Sequence, residues 1–297
     1  MDARNPDSSQ RCPVCLGAET GPYSTDRWAI DGKEYRLLRC GACGCVHTFP
    51  LPGDSVLERL YRTSFDYRWY QDHYDAKLRD CRIRVREYGP RLGKRVLDFG
   101  GGMGYFSKAA AENGLQSVTY DPFVSAQQPA GKDWDCVVAL HVLEHSNDLD
   151  RTLAQIKDLL APGGRIILAV PNFESLGYRK LGMRWTWAQP PLVHVFHFTA
   201  AGLLALLRRH GFGDLEPSYH ERWDANISSD VEQVERFRWL DRHWGIPFLN
   251  RSAIYRRWIA RRNSRYRFDA LAHTLGRSAV DRSDLSELQI VGTLNER

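Results

Sequence analysis

The stretch Val96–Phe106 reads VLDFGGGMGYF and places four glycines in five positions behind a short apolar run. Residues 95–99 read as a buried strand, β-branched at Val96 and ending beside Asp98. The following YFSKAAAENG reads as a helix, with Gly114 as the residue just past its end. The glycines therefore form a strand-to-helix turn, where bare backbone N–H groups and a helix N-terminus face a ligand. A dinucleotide fingerprint starting at Gly100 needs glycine where Tyr105 stands, and one starting at Gly102 needs it at Ser107. A phosphate loop needs Ser or Thr after its lysine, and Lys108 is followed by Ala109. The pattern that fits is D-x-G-x-G-x-G over Asp98, Gly100, Gly102 and Gly104. An acid inside the loop repels phosphate and suits a ligand with a cationic amine and hydroxyls.

Further along, Leu149, Leu153, Ile156 and Leu160 recur at helical spacing, so 148–160 is predicted as an amphipathic helix. Pro162-Gly163-Gly164 breaks it, and RIILAV reads as a strand buried on both faces. Strands alternating with helices imply an α/β fold with a largely parallel sheet, whose ligands sit at the strands' carboxyl ends.

Several ordered motifs carry a resemblance over roughly residues 54–220. VLDFGGGMG resembles the first motif of class I S-adenosylmethionine-dependent methyltransferases. SVTYDPF is similar to their second strand, DWDCVVALHVLEHSNDL to the fourth strand and its motif, LLAPGGRIILAVPN to the turn and fifth strand, and FHFTAAGLLALLRRHGF to the later helix. The resemblance implies a Rossmann-like class I sheet. It implies S-adenosylmethionine held by Asp98, Gly100, Gly102, Gly104 and Tyr105, by Asp121 on the ribose, and by Leu140 and His141. One departure stands out. Only 13 residues separate Asp121 from Asp135, too few for the helix and third strand the family fits there.

The cofactor's sulfonium is already electrophilic, so the protein must align a nucleophile, exclude water and take up a proton where needed. Candidate catalytic residues are His141, Glu144 and His145 after the fourth strand, then His194 and His197 before a helix that Thr199 would cap. Some quinone O-methyltransferases of the superfamily bind a divalent metal through E-x-x-E-H. Here His141 replaces the first acid. Packing and hydrogen bonding are the plain alternative at each position. Tyr61, Tyr67, Tyr70 and Tyr74 read either as an aromatic lid or as a helical core stripe.

Before the sheet, Cys12-x-x-Cys15 and Cys40-x-x-Cys43 form two pairs separated by 24 residues that include the hairpin-like RWAIDGKEYRLLR. Two such knuckles complete a tetrahedral four-sulfur zinc site, structural because no position stays open. Gly17 and Gly44 are expected at left-handed turns. Neither pair opens a βαβ unit, which disfavours redox chemistry. Cys136, within CVVAL, reads as core. A similar zinc module precedes the methyltransferase core in sugar C-methyltransferases.

The expected organisation is a zinc-ribbon-like module (1–52), a helical linker or lid (53–92), the core (93–220), a helical insertion (221–284), and a last strand with tail (285–297). The insertion holds Trp223, Trp239, Trp244 and Trp258, and seven arginines without an acid between Arg251 and Arg267. Three readings stand for it: a cleft cap holding phosphate or carboxylate, an anionic-membrane contact, or an oligomer interface.

The start MDARNPDSSQ has no apolar run, and the longest apolar segments fall short of the ~20 residues a spanning helix needs. A cytoplasmic location is expected. The net charge of +5 is modest, which disfavours nucleic acid as partner. The expected function is methyl transfer to a small-molecule or glycan-precursor acceptor, foremost the oxygen of a sugar or lipid-linked intermediate. C-methylation of a nucleotide sugar, RNA or protein methylation, and a non-catalytic cofactor-binding scaffold are the alternatives.

Overall fold

The computed structural model describes residues 11–18, 20–64, 67–122, 132–185, 187–188, 192–222 and 281–295. One compact unit takes in residues 1–170, 191–218 and 289–297, and a second takes in 171–190 and 219–288.

The first unit opens with four short strands, β1 (Thr20–Pro22), β2 (Trp28–Ile30), β3 (Lys33–Cys40) and β4 (Val46–Phe49). β2 and β3 form the expected hairpin. Asp31 and Gly32 between them both have positive φ, as a tight two-residue hairpin turn requires. Three helices follow, α1 (Asp54–Ser64), α2 (Tyr67–Asp72) and α3 (Tyr74–Tyr88).

The main sheet then begins with β5 (Arg95–Phe99), helix α4 (Tyr105–Glu112), β6 (Gln116–Tyr120) and β7 (Trp134–Leu140). Gly114 does end α4: its φ is +79°. Its amide bonds to Ala111 O and the Leu115 amide to Ala110 O, the paired bonds of a Schellman stop. The amphipathic segment is α5 (Leu149–Leu159), capped by Asp148, whose carboxylate accepts the Arg151 amide. It buries Leu149, Leu153 and Ile156.

Strand β8 runs Leu160–Pro171, so it begins before the Pro162-Gly163-Gly164 break rather than after it. The partner of Trp134 is Leu160 and that of Cys136 is Arg165, so the glycines are looped out as a bulge within the strand. Later come α6 (Leu176–Leu181), the two-residue β9 (Phe196–His197), α7 (Ala200–Arg209), β10 (Phe212–His220) and β11 (Glu287–Leu294).

The main sheet has the order β10-β11-β8-β7-β5-β6. β5 pairs in parallel with both β6 and β7, and β7 with β8. β6 is an edge among the described residues, consistent with the short Asp121–Asp135 interval, most of which (123–131) lies outside them. On one face, Leu78, Val85 and Tyr88 of α3 pack with Phe106 and Ala109 of α4 over Val96 and Val138. Cys136 is wholly buried there, as expected. The smaller sheet has the order β1-β3-β4-β9, so it recruits its last strand from beyond the main sheet's β8.

In the second unit, Asn172 donates its side-chain amide to the carbonyls of Ser283 and Leu285. Arg222 and Glu287 form a buried ion pair at 2.8 Å. Residues 223–280 hold nearly all of the predicted basic-aromatic insertion, and they lie outside the described residues. No helix among the described residues is long and apolar enough to cross a membrane.

Candidate cofactor and acceptor site

The glycine loop leaves the carboxyl end of β5. Gly100, Gly102 and Gly104 all have positive φ. A Cβ on Gly101 would fall 2.2 Å from the Asp98 carboxylate, and one on Gly100 would fall 2.6 Å from Val142. These two glycines are therefore demanded by the protein's own packing. Gly102 differs, because a Cβ there would meet only Asp121 Oδ2, at 4.0 Å. Its amide donates to that carboxylate at 2.9 Å. Gly102 thus presents backbone to open space beside the acid at the end of β6, where a ligand carrying hydroxyls can approach both.

Asp98 lies beneath the loop and is buried. The Ser107 amide and hydroxyl and the Thr119 hydroxyl donate to its Oδ2. Burial nevertheless pushes its carboxyl up to about 6, with Asp121 adding to the rise. Ser107 and Thr119 escape a motif search because their role appears only when α4 and β6 fold onto β5. Tyr105, the first residue of α4, donates its hydroxyl to the Tyr70 carbonyl at 2.9 Å and meets Tyr74 edge-on. The aromatic cluster at Tyr70 and Tyr74 thus covers the start of α4. The side chains of Tyr61 and Tyr67 lie outside the described residues.

The second half of the site follows β7. Leu140 ends that strand and is half-buried. His141 takes a left-handed conformation, φ 57°, which is uncommon for a non-glycine residue. Its amide is held by the Ala169 carbonyl, and its Nδ1 lies 3.2 Å from Glu144 Oε1. The segment Leu143–His145 is a single 3-10 turn rather than the start of α5. Glu144 is only 1% exposed, and its second carboxylate oxygen has no hydrogen-bond partner.

The His194 loop is tied directly to this turn. The Val195 amide donates to the Glu144 carbonyl at 2.7 Å. His145 Nδ1 lies 2.8 Å from the Val193 carbonyl, which requires the proton on Nδ1 and makes Nε2 the basic nitrogen. The rings of His145 and His194 meet edge-to-face with centroids 4.7 Å apart. The structure therefore gathers His141, Glu144, His145 and His194. Glu144, His145 and His194 also present ligand atoms within 4.8 Å of one another, a set chemically suited to a divalent ion. His197 stands apart in role. It pairs with Val46 in the β4–β9 ladder, its ring lies 6.3 Å from that of His194, and burial pushes its imidazole down to about 3.

The N-terminal cysteines fit a four-sulfur metal site. Cys12, Cys15, Cys40 and Cys43 converge, with Sγ separations of 3.8 Å for Cys12–Cys43 and 3.6 Å for Cys15–Cys40. Tetrahedral zinc with bonds of about 2.3 Å needs sulfurs about 3.8 Å apart. Without a cation, the contact with Cys43 and burial push the Cys12 thiol well above its ordinary value. Gly44 has the expected positive φ, but in the first knuckle the left-handed residue is Leu16, not Gly17. Gly17 is required for space instead, since a Cβ there would crowd Cys15 Sγ and Ala42 at 3.2 Å.

A family profile of methyltransferase domains matches residues 70–216. The tRNA U34 carboxymethyltransferase of Dichelobacter nodosus is 26% identical over 224 residues, which is 65% of each chain. The present chain thus spans just under two thirds of that relative's length. Among solved structures, phosphoethanolamine N-methyltransferase 2 of Haemonchus contortus superposes with a TM-score of 0.50 at 14% identity. That match covers 92% of this chain and 71% of the other. A SAM-dependent methyltransferase from Archaeoglobus fulgidus matches at 20% identity and a TM-score of 0.44, over 77% of this chain and all of the other. The matched segment holds both the D-x-G-x-G-x-G turn and Asp121 at the end of the neighbouring strand, so residues 70–216 form an S-adenosylmethionine-dependent methyltransferase domain of the class I kind.

Proposed function

We propose that the protein transfers a methyl group from S-adenosylmethionine to a hydroxyl of a small-molecule or glycan-precursor acceptor, with His145 taking the hydroxyl proton. The observation that carries this reading is the His145–Val193 bond, which fixes the tautomer and leaves Nε2 as acceptor at the carboxyl end of β7. Bound cofactor would supply the electrophilic methyl group. Asp98, the backbone at Gly102 and Asp121 would hold its amine and ribose ends. His194, edge-on to His145, would orient the base, and the imidazole of His145 would hold the proton it takes up. Zinc in the four-cysteine knuckle would be structural.

The name of the Dichelobacter nodosus relative supports a second reading, in which the acceptor is an RNA base. One experiment separates the two. The protein is incubated with methyl-labelled cofactor and, in parallel, with nucleotide-sugar extract, cell-envelope lipid extract and bulk tRNA. Label in a sugar or lipid product supports the first reading, and label in tRNA alone replaces it with the second. The His145→Gln variant should abolish labelling in either arm if His145 is the base.

A further inference from the structure

We propose that the four-cysteine knuckle is a positioning element of the acceptor site, and that Thr199 is the residue through which it acts. The inference rests on reading His145 and His194 as acceptor-side groups, but its geometry stands without that reading.

Thr199 ties the start of α7 to the second knuckle. Its hydroxyl donates to the Cys43 carbonyl at 2.6 Å and accepts the Gly202 amide at 3.1 Å, capping α7. One hydroxyl can do both because it carries a proton and two lone pairs. The Thr199 amide points at Cys45 Sγ, 3.4 Å away. At the other end of α7, Arg209 donates to the carbonyls of Pro13 and Val14 in the first knuckle, at 3.0 and 3.4 Å. A ten-residue helix is about 15 Å long. α7 therefore spans the metal site, with its N-terminus on one knuckle and its last residue on the other.

The segment just before Thr199 is held from both sides. β4 leaves the second knuckle and pairs with β9, Val46 with His197 and His47 with Phe196. The Thr48 amide extends that pairing to the Val195 carbonyl at 2.9 Å. From the opposite side, the Glu144 carbonyl accepts the Val195 amide and His145 bonds to the Val193 carbonyl. Residue 194 lies in the middle of this clamp, so the knuckle fixes where His194 meets His145. The cofactor half is built differently. The bonds of its glycine turn run among Asp98, Gly100, Gly102, Ser107, Thr119, Tyr120 and Asp121, on β5, β6 and α4, whereas His141 contacts the clamp through Glu144.

Loss of the metal, or of the Thr199 hydroxyl, should therefore disturb the histidine pair and spare cofactor binding. The test uses the full-length zinc-loaded protein with nitrogen-15 histidine. Imidazole resonances of His145 and His194 are followed by NMR, and S-adenosylmethionine affinity by calorimetry. Thr199→Val, with its zinc content checked, should shift both imidazole signals while changing cofactor affinity by less than about threefold. Thr199→Ser should restore the signals. Cys12→Ser, which weakens the knuckle and leaves Glu144, His145 and His194 intact, should reproduce the Thr199→Val shift. The proposal is overturned if both signals stay in place in Thr199→Val, or if cofactor affinity falls in step with the imidazole change. A protein that labels no acceptor at all would remove the proposed function and leave this result to be judged on its own.

Discussion

The Gly102 amide donates to the Asp121 carboxylate at 2.9 Å, so the glycine loop and the end of β6 are joined before any ligand arrives. Asp121 is buried, and a Cβ on Gly102 would find open space on the same side. In the proposed cofactor site, a ribose would meet a carboxylate that is already oriented. A charged hydrogen bond of this kind contributes about 1.5–3 kcal/mol. Asp121→Ala is expected to weaken S-adenosylmethionine binding by about 10- to 100-fold in calorimetry. An unchanged affinity would remove Asp121 from the cofactor site.

Asp98 predicts a pH dependence. Its carboxyl is pushed up to about 6 in the fold, against about 3.9 in an unfolded chain. A raised carboxyl favours its protonated form in the native state. Its contribution to stability is thus fully present below about pH 4 and is lost as pH rises through about 6. Cofactor binding should run the other way, because an ammonium group favours the ionised carboxylate. Affinity should fall as pH drops below about 6, by up to about tenfold per unit. Asp98→Asn should flatten that profile. A wild-type profile already flat between pH 5 and 7 on this scale would contradict the assignment.

Much of the glycine turn is legible because its determinants are local. The turn between β5 and α4 lies within one run of sequence, and the glycine spacing discriminates among ligands. The Asp31-Gly32 turn and the Gly114 stop are equally local. Other features depend on contacts between distant positions. Glu144 meets the His194 loop across some fifty residues of sequence, through backbone bonds that no side-chain pattern announces. Thr199 is readable as a helix cap, yet nothing local reveals that the same hydroxyl also reaches Cys43. In the first knuckle Leu16 takes the left-handed position while Gly17 is needed for space beside Cys15, and the sequence motif cannot separate those two demands. His197 sits within a histidine-rich run, and its partner strand β4 lies near the N-terminus, so its burial is invisible locally.

Arg222 and Glu287 make a buried ion pair in the second unit, with side chains 4% and 0% exposed. Removing only the cation would take a buried carboxylate's guanidinium partner away. Arg222→Ala is expected to cost about 3–5 kcal/mol, read as a lowered denaturant midpoint. The double variant Arg222→Met with Glu287→Leu should cost less than the single one, because no charge is left without its counterpart. If the double variant is no better than the single, the pair's charge complementarity is not what holds these residues.

Gly202 tests how tightly α7 covers the metal site. A Cβ at this position would lie 2.2 Å from Cys45 Sγ and 3.4 Å from Cys43 Sγ. The helix would have to lift, or the second knuckle would have to turn. Overpacking of this kind costs about 1–3 kcal/mol. Because Cys43 is a proposed zinc ligand, Gly202→Ala should also weaken retention of zinc against a competing chelator. Helix propensity alone argues the opposite, since alanine in a helix is better than glycine by about 1 kcal/mol. The sign of the effect is therefore diagnostic. The neighbouring Ala201 is exposed on the same helix, and Ala201→Ser should change stability by no more than about 0.5 kcal/mol and leave zinc retention alone. If Gly202→Ala instead stabilises the protein and holds zinc as well as the wild type, α7 does not press on the knuckle, and the link from Cys43 through Thr199 to His194 loses its mechanical basis.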